Sequence, residues 1–247
     1  MNNQELLRPA TPADTPPVRH ACEMRHGTRA IRYYLSEAVE KNRPILVIFH
    51  GHGFAAAPSQ FKSPNWNVLC PMDNFGEQQL GSWYLGEDGD FFWLDAMRRL
   101  IAEVRARVGT GRLYFWGSSM GGYAALLHGA LNGATAVYAN TPQTWLLGST
   151  YSNNGMRKYF EPIFGSNLNA EYNDLKTFFK SRSRTQYFLC FNQLEPGAYF
   201  AEQGLPFIGH LHSFRQRFYL EVRPLEQHGK NHGVGETIEL FKRYAVQ

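Results

Sequence analysis

The chain has 247 residues, 43% of them hydrophobic and 15% aromatic, with a formal net charge of +4. That length fits one large domain with a substantial core. The mild charge, without a Lys/Arg cluster interleaved with aromatics, argues against a nucleic-acid partner, and no apolar run reaches the roughly 20 residues that span a membrane.

Residues 1–16 carry Pro9, Pro12 and Pro16 among small polar residues and read as a mobile tail preceding a domain over 17–247. The Met1-Asn2-Asn3-Gln4-Glu5 start lacks the apolar segment of a secretory signal. Cys22, Cys70 and Cys190 are widely spaced and read as reduced thiols. Together these features predict a cytoplasmic protein. Val18 to Met24 and Ala30 to Leu35 form an antiparallel hairpin around His26-Gly27. Pro44 to Phe49 is a continuous β-branched apolar run, the pattern of a strand buried on both faces. It ends in His50-Gly51-His52-Gly53-Phe54. Trp66 to Cys70 is a further buried strand, followed by a loop holding Asp73. Residues 76–90, with four glycines, Trp83 and Tyr84, read as pocket wall.

Phe91 to Val108 repeats Leu94, Met97, Leu100/Ile101, Val104 and Val108 at helical spacing, with Asp90 as N-cap and Gly109 as stop. Leu113 to Trp116 is a buried strand leading into Gly117-Ser118-Ser119-Met120-Gly121 and then an Ala/Leu-rich helix to about Leu131. Strand, Gly-x-Ser-x-Gly and helix together describe a nucleophile elbow: Ser119 on a sharp turn, with Gly117 and Gly121 removing side chains that would clash. Ala134 to Ala139 is a strand. Residues 140–183 break the strand–helix rhythm and are rich in Trp, Tyr, Phe and Asn. They read as a small cap insertion, whose aromatics either anchor it or stack on a sugar. Gln186 to Phe191 is a strand ending in Asn192-Gln193-Leu194-Glu195-Pro196. A helix lies within 197–215, Arg217 to Val222 is the last strand, and Glu236 to Ala245 a closing helix.

Strands alternating with helices predict an α/β, mostly parallel sheet, with active-site loops at strand carboxyl ends. The order of a His-Gly loop, a Gly-x-Ser-x-Gly elbow, a late acid and a final histidine resembles the α/β-hydrolase superfamily, from about residue 28 to 247. The resemblance implies a three-layer fold and a serine esterase with a catalytic triad, no cofactor and an acyl-ester substrate. It implies Ser119 as nucleophile, and the backbone N–H groups of Met120 and His52 as the oxyanion hole. The superfamily's usual Asp is replaced by Glu195 as the triad acid, with Asp73 and then Asn192 as alternatives. Its base lies just before the final helix. Asn231-His232-Gly233 fits that place, which favours His232, with His228 as the alternative. The His-x-His pairs at 50/52 and 210/212 lack a nearby carboxylate, and glycines separate His228 from His232, so no metal site is expected.

The elbow Tyr-Phe-Trp-Gly-Ser-Ser-Met-Gly-Gly-Tyr and the Glu acid are also locally similar to O-acetyltransferases of bacterial glycan assembly and accessory secretion. That likeness implies an acyltransferase or deacetylase acting on a polysaccharide or glycopeptide. A third reading, from another class, is a hydrolase-fold binding protein without catalysis.

Overall fold

Ile45–Phe49 is buried at every position. Ile45, Val47 and Phe49 enter one core, Leu46 and Ile48 another. A strand apolar on both faces is stable only where helices cover both sides of the sheet. The computed structural model describes residues 17–165, 170–229 and 232–245, so the N-terminal segment read as a tail lies outside the described residues. Eight strands form one sheet: β1 (Arg19–His26), β2 (Arg29–Ser36), β3 (Ile45–Phe49), β4 (Asn67–Pro71), β5 (Leu113–Ser118), β6 (Ala136–Asn140), β7 (Gln186–Asn192) and β8 (Phe218–Arg223). Their order is β1-β2-β4-β3-β5-β6-β7-β8. β2 is antiparallel to both of its neighbours, and the strands from β4 to β8 run parallel.

The helices are α1 (Trp93–Val108), α2 (Met120–Leu131), α3 (Arg157–Phe164), α4 (Ala170–Asn173), α5 (Leu175–Phe178), α6 (Leu205–Ser213) and α7 (Val234–Tyr244). α1 and α2 pack in the larger core with Phe49 and Phe115. α7 covers the other face, burying Ile238 and Phe241 beside Tyr114 and Phe188. This is the α/β arrangement that the alternating pattern predicts, with the three layers that the resemblance implies. α2 is buried over nearly its whole length, as expected of a helix apolar on all sides.

α1 starts later than its sequence suggests. Asp90 does not cap it; its carboxylate pairs with Arg29 of β2 at 2.9 Å, and Phe92 holds the N-cap position without a side-chain bond. Gly109 does end the helix, at φ 97°.

The loop over 76–90 packs inward. Trp83 and Tyr84 are fully buried at left-handed φ of 54° and 53°. They belong to the main core. In the segment over 140–183, Phe160, Phe164 and Phe179 are buried in that same core, and Phe160 meets Trp83 edge-on at 4.7 Å. These aromatics anchor the segment. Its entry is fixed by Gln203, whose Oε1 accepts the Thr144 and Trp145 N–H groups at 2.7 and 2.8 Å.

Three buried titratable groups set an acid sensitivity. Burial pushes His50 and His128 down to about 4 and pushes Asp73 up to about 6. Between these values the unfolded chain binds a proton on each histidine that the native chain does not, which favours unfolding as pH falls. Asp73 acts in the opposite sense, because the native carboxyl holds a proton that the unfolded one has released. The two histidines outweigh the one carboxyl, so these groups lower stability as pH falls from 6 towards 4. Urea unfolding at pH 6 and 4.5 measures this; a stability that rises on acidification would contradict it.

Candidate active site

Parallel register aligns the carboxyl ends of the central strands. Phe49 pairs with Gly117, Ser118 with Asn140 and Phe191 with Val222. The loops after β3, β5, β6, β7 and β8 therefore converge on one edge, where open α/β sheets hold their ligands.

Ser119 joins β5 to α2 with φ 56° and ψ −122°. A non-glycine residue held at positive φ is strained, and persists only where its surroundings over-determine it. Those surroundings are two glycines. A Cβ on Gly117 would lie 1.9 Å from the Gly121 carbonyl oxygen. A Cβ on Gly121 would lie 2.7 and 2.8 Å from the carbonyl oxygens of Phe49 and His50. The Ser119 N–H is tied to the Asn140 carbonyl at 3.0 Å. Backbone thus meets backbone on three sides of the turn, and the hydroxyl is pushed clear of the sheet.

The Ser119 hydroxyl meets His228, whose Nε2 lies 2.8 Å from Oγ. His228 Nδ1 in turn makes a short contact with Glu195 Oε1. Glu195 is only 7% exposed, and its Oε2 has no hydrogen-bond partner among the described residues. A buried carboxylate of this kind is costly unless it faces a positive charge, and a protonated His228 would supply one. β7 and β8 are neighbours, so the loops that follow them are laced together. Asn192 Nδ2 donates to the Gln227 carbonyl, and the N–H groups of Gln193 and Leu194 donate to the Arg223 and Leu225 carbonyls. Gly229, at φ 74°, turns the chain just after His228. Tyr151 and Tyr199 flank the His228 ring, with centroids at 6.2 and 5.2 Å.

The histidine favoured by position stands elsewhere. His232 Nε2 is 2.7 Å from Glu221 Oε2, and its N–H donates to the Tyr138 hydroxyl at 3.3 Å. It belongs to the entry of α7, where Glu236 accepts the Gly233 N–H at 2.7 Å. His228, and not the favoured His232, thus meets Ser119: Glu221 on β8 holds His232, while the loop stitched to the Glu195 segment brings in His228. Asn231 lies outside the described residues.

The alternative acid is likewise committed elsewhere. Asp73 is fully buried. Its Oδ2 accepts the Ser82 and Tyr84 N–H groups at 2.7 and 2.8 Å. Its Oδ1 accepts the Ser82 hydroxyl at 2.9 Å and Trp93 Nε1 at 3.3 Å. Four donors converge on it, so Asp73 braces the 82–84 loop. Asn192, the remaining alternative, carries the Gln227 backbone rather than an imidazole.

Two backbone donors border the elbow. The Met120 N–H belongs to the first turn of α2, where helical N–H groups lack internal partners. In the loop after β3, the Gly53 N–H is engaged with the Leu80 carbonyl at 2.8 Å, while the His52 N–H makes no hydrogen bond among the described residues. The His52 ring lies between Trp83 and Tyr159, at centroid distances of 5.4 and 4.4 Å. Burial, and then the Lys158 charge, hold its pKa below the usual imidazole value. His50 donates from Nδ1 to the Gly51 carbonyl and accepts the Asp73 N–H at Nε2, both at 2.8 Å, so both ring nitrogens are occupied.

Sequence reading missed Gln143. It follows β6, is fully buried, and places Nε2 3.0 Å from Ser119 Oγ. Its only sequence signal is its place three residues past the end of a central strand.

No family model matches the sequence, and no curated protein matches it. Solved structures do. An S-formylglutathione hydrolase from Agrobacterium tumefaciens aligns over 92% of both chains with a TM-score of 0.66 at 13% identity. The chain has the α/β-hydrolase fold. FphF, a fluorophosphonate-binding serine hydrolase of Staphylococcus aureus, aligns over 93% of this chain and 97% of its own, with a TM-score of 0.62 at 12% identity. The acylaminoacyl peptidase of Pyrococcus horikoshii gives a TM-score of 0.68 at 14% identity. There the match covers 94% of this chain but 42% of the peptidase. These α/β-hydrolase-fold neighbours are hydrolytic enzymes, and at such identities the likeness establishes architecture.

Proposed function

We propose that this protein is a serine hydrolase of esterase type that works through an acyl-enzyme on Ser119. The observation that carries this reading is the unbroken chain from Ser119 Oγ through His228 to Glu195, at the edge of the sheet where loops converge.

In this mechanism His228 Nε2 takes the hydroxyl proton as Ser119 Oγ attacks the acyl carbonyl carbon. Glu195 orients the ring through Nδ1–H and offsets the imidazolium charge. The Met120 and His52 N–H groups receive the carbonyl oxygen as it becomes negative. The imidazolium then returns its proton to the departing alkoxide, which leaves as the alcohol. In the second half, His228 takes a proton from water, the oxygen attacks the acyl-enzyme, and the carboxylic acid departs as Ser119 Oγ regains a proton. An alcohol in place of water gives acyl transfer by the same steps, so a sugar hydroxyl as acceptor is a question of product.

Ser119→Ala is expected to abolish turnover of p-nitrophenyl acetate, to a residual level at least about 10³-fold below wild type. Retained turnover in the purified variant would sink the nucleophile assignment. Product analysis with and without a glycan acceptor separates hydrolysis from transfer.

A further inference from the structure

The orientation of the Gln143 carboxamide is fixed by its neighbours. Trp83 Nε1 can only donate, and it lies 3.1 Å from Gln143 Oε1. The amide nitrogen must therefore face the opposite way. There it has two neighbours, Ser119 Oγ at 3.0 Å and Tyr199 Oη at 2.9 Å. Tyr199 spends its own proton on the Thr141 carbonyl at 2.8 Å, so its oxygen accepts from Gln143. The second amide N–H is thereby directed at Ser119 Oγ. With that lone pair occupied, the Ser119 proton goes to His228 Nε2.

We propose that Gln143 is a further catalytic residue, a neutral donor held against the nucleophilic oxygen itself, whose main effect is on breakdown of the acyl-enzyme. This rests on the serine-hydrolase reading. In the resting enzyme the N–H···Oγ bond aims the hydroxyl. When the second tetrahedral intermediate collapses, the bond from the acyl carbon to Oγ breaks and its electron pair passes to Oγ. The His228 imidazolium then delivers the proton. Hydrogen bonds strengthen as the acceptor gains charge, so the Gln143 N–H stabilises the departing oxygen more than the ester oxygen of the acyl-enzyme, and the barrier to deacylation falls. The donor is buried and braced by Trp83 and Tyr199, so it needs no reorganisation at that moment.

Two substitutions separate this role from packing. Gln143→Leu removes the donor; kcat for p-nitrophenyl acetate is expected to fall by about tenfold to a hundredfold. KM should fall with it and a pre-steady-state burst should appear, because acyl-enzyme accumulates. Gln143→Glu keeps the shape and the acceptor for Trp83 but turns an oxygen towards Ser119. Its activity should be low at pH 8 and recover as pH falls, when the protonated carboxyl regains a donor. A purely structural role would not shift the pH profile. Thermal unfolding confirms that each variant is folded.

If folded Gln143→Leu keeps kcat within about twofold, or Gln143→Glu follows the wild-type pH profile, Gln143 has no such role while the serine-hydrolase reading stands. If the wild type neither turns over the ester nor reacts with a fluorophosphonate, that reading falls and takes this inference with it.

Discussion

His228→Asn is expected to lower kcat for p-nitrophenyl acetate by about 10³-fold or more, because Asn cannot take the Ser119 proton, whereas His232→Asn should keep activity within about fivefold. The two histidines are four positions apart in the same terminal region, but they bond to different carboxylates. His228 touches Ser119 and Glu195; His232 touches Glu221. The His232–Glu221 pair is partly exposed on both sides, so losing it should cost stability by about 1 kcal/mol at most. The expected pattern is thus a dead but stable enzyme in one case and an active, slightly less stable one in the other. Steady-state assays with thermal unfolding of both variants read it out. The opposite pattern would return the base to His232.

Gly117→Ala should be among the most damaging single-methyl additions in the molecule. Its Cβ would stand 1.9 Å from the Gly121 carbonyl oxygen and 2.2 Å from the Gly121 carbonyl carbon. Both neighbours are backbone, so no side-chain rotation relieves the clash. β5 and α2 would have to separate. β5 is hydrogen-bonded to β3 and β6 and α2 is buried along its length, so separation opens the core. We expect a loss of about 4 kcal/mol or more, the range of severe overpacking, and an enzyme that is insoluble or unfolds at much lower temperature. Gly133→Ala is a useful control, since its Cβ would meet nothing within 4 Å. It should cost only the strain of a left-handed φ, about 1 kcal/mol. Similar melting temperatures for the two variants would show that the elbow is looser than its geometry.

The fold was legible because its signals are local. Ile45–Phe49 is apolar on both faces, and strand, Gly-x-Ser-x-Gly and helix follow one another without a gap. The proposed acid, Glu195, could be placed from chain order, since it follows a strand at the ligand end. The proposed histidine could not. Both candidates lie between the last strand and the last helix, and what separates them is the neighbour relation of β7 and β8. That relation stitches 192–194 to 223–227 and is a property of the sheet rather than of any short stretch. Asp73 was a reasonable candidate for the same positional reason. Its environment is two backbone N–H groups and the Ser82 hydroxyl of a glycine-rich loop together with the Trp93 indole, which composition does not reveal. Gln143 carries no motif. Its orientation depends on Trp83, which is 60 positions away in sequence, and on Tyr199, 56 away.

The most direct test of the account is peptide mapping after treatment with diisopropyl fluorophosphate. The account predicts one adduct, on Ser119, forming rapidly in wild type and in His232→Asn and slowly in His228→Asn. An unlabelled wild-type protein, or an adduct mapped to Ser118 or another serine, would contradict it.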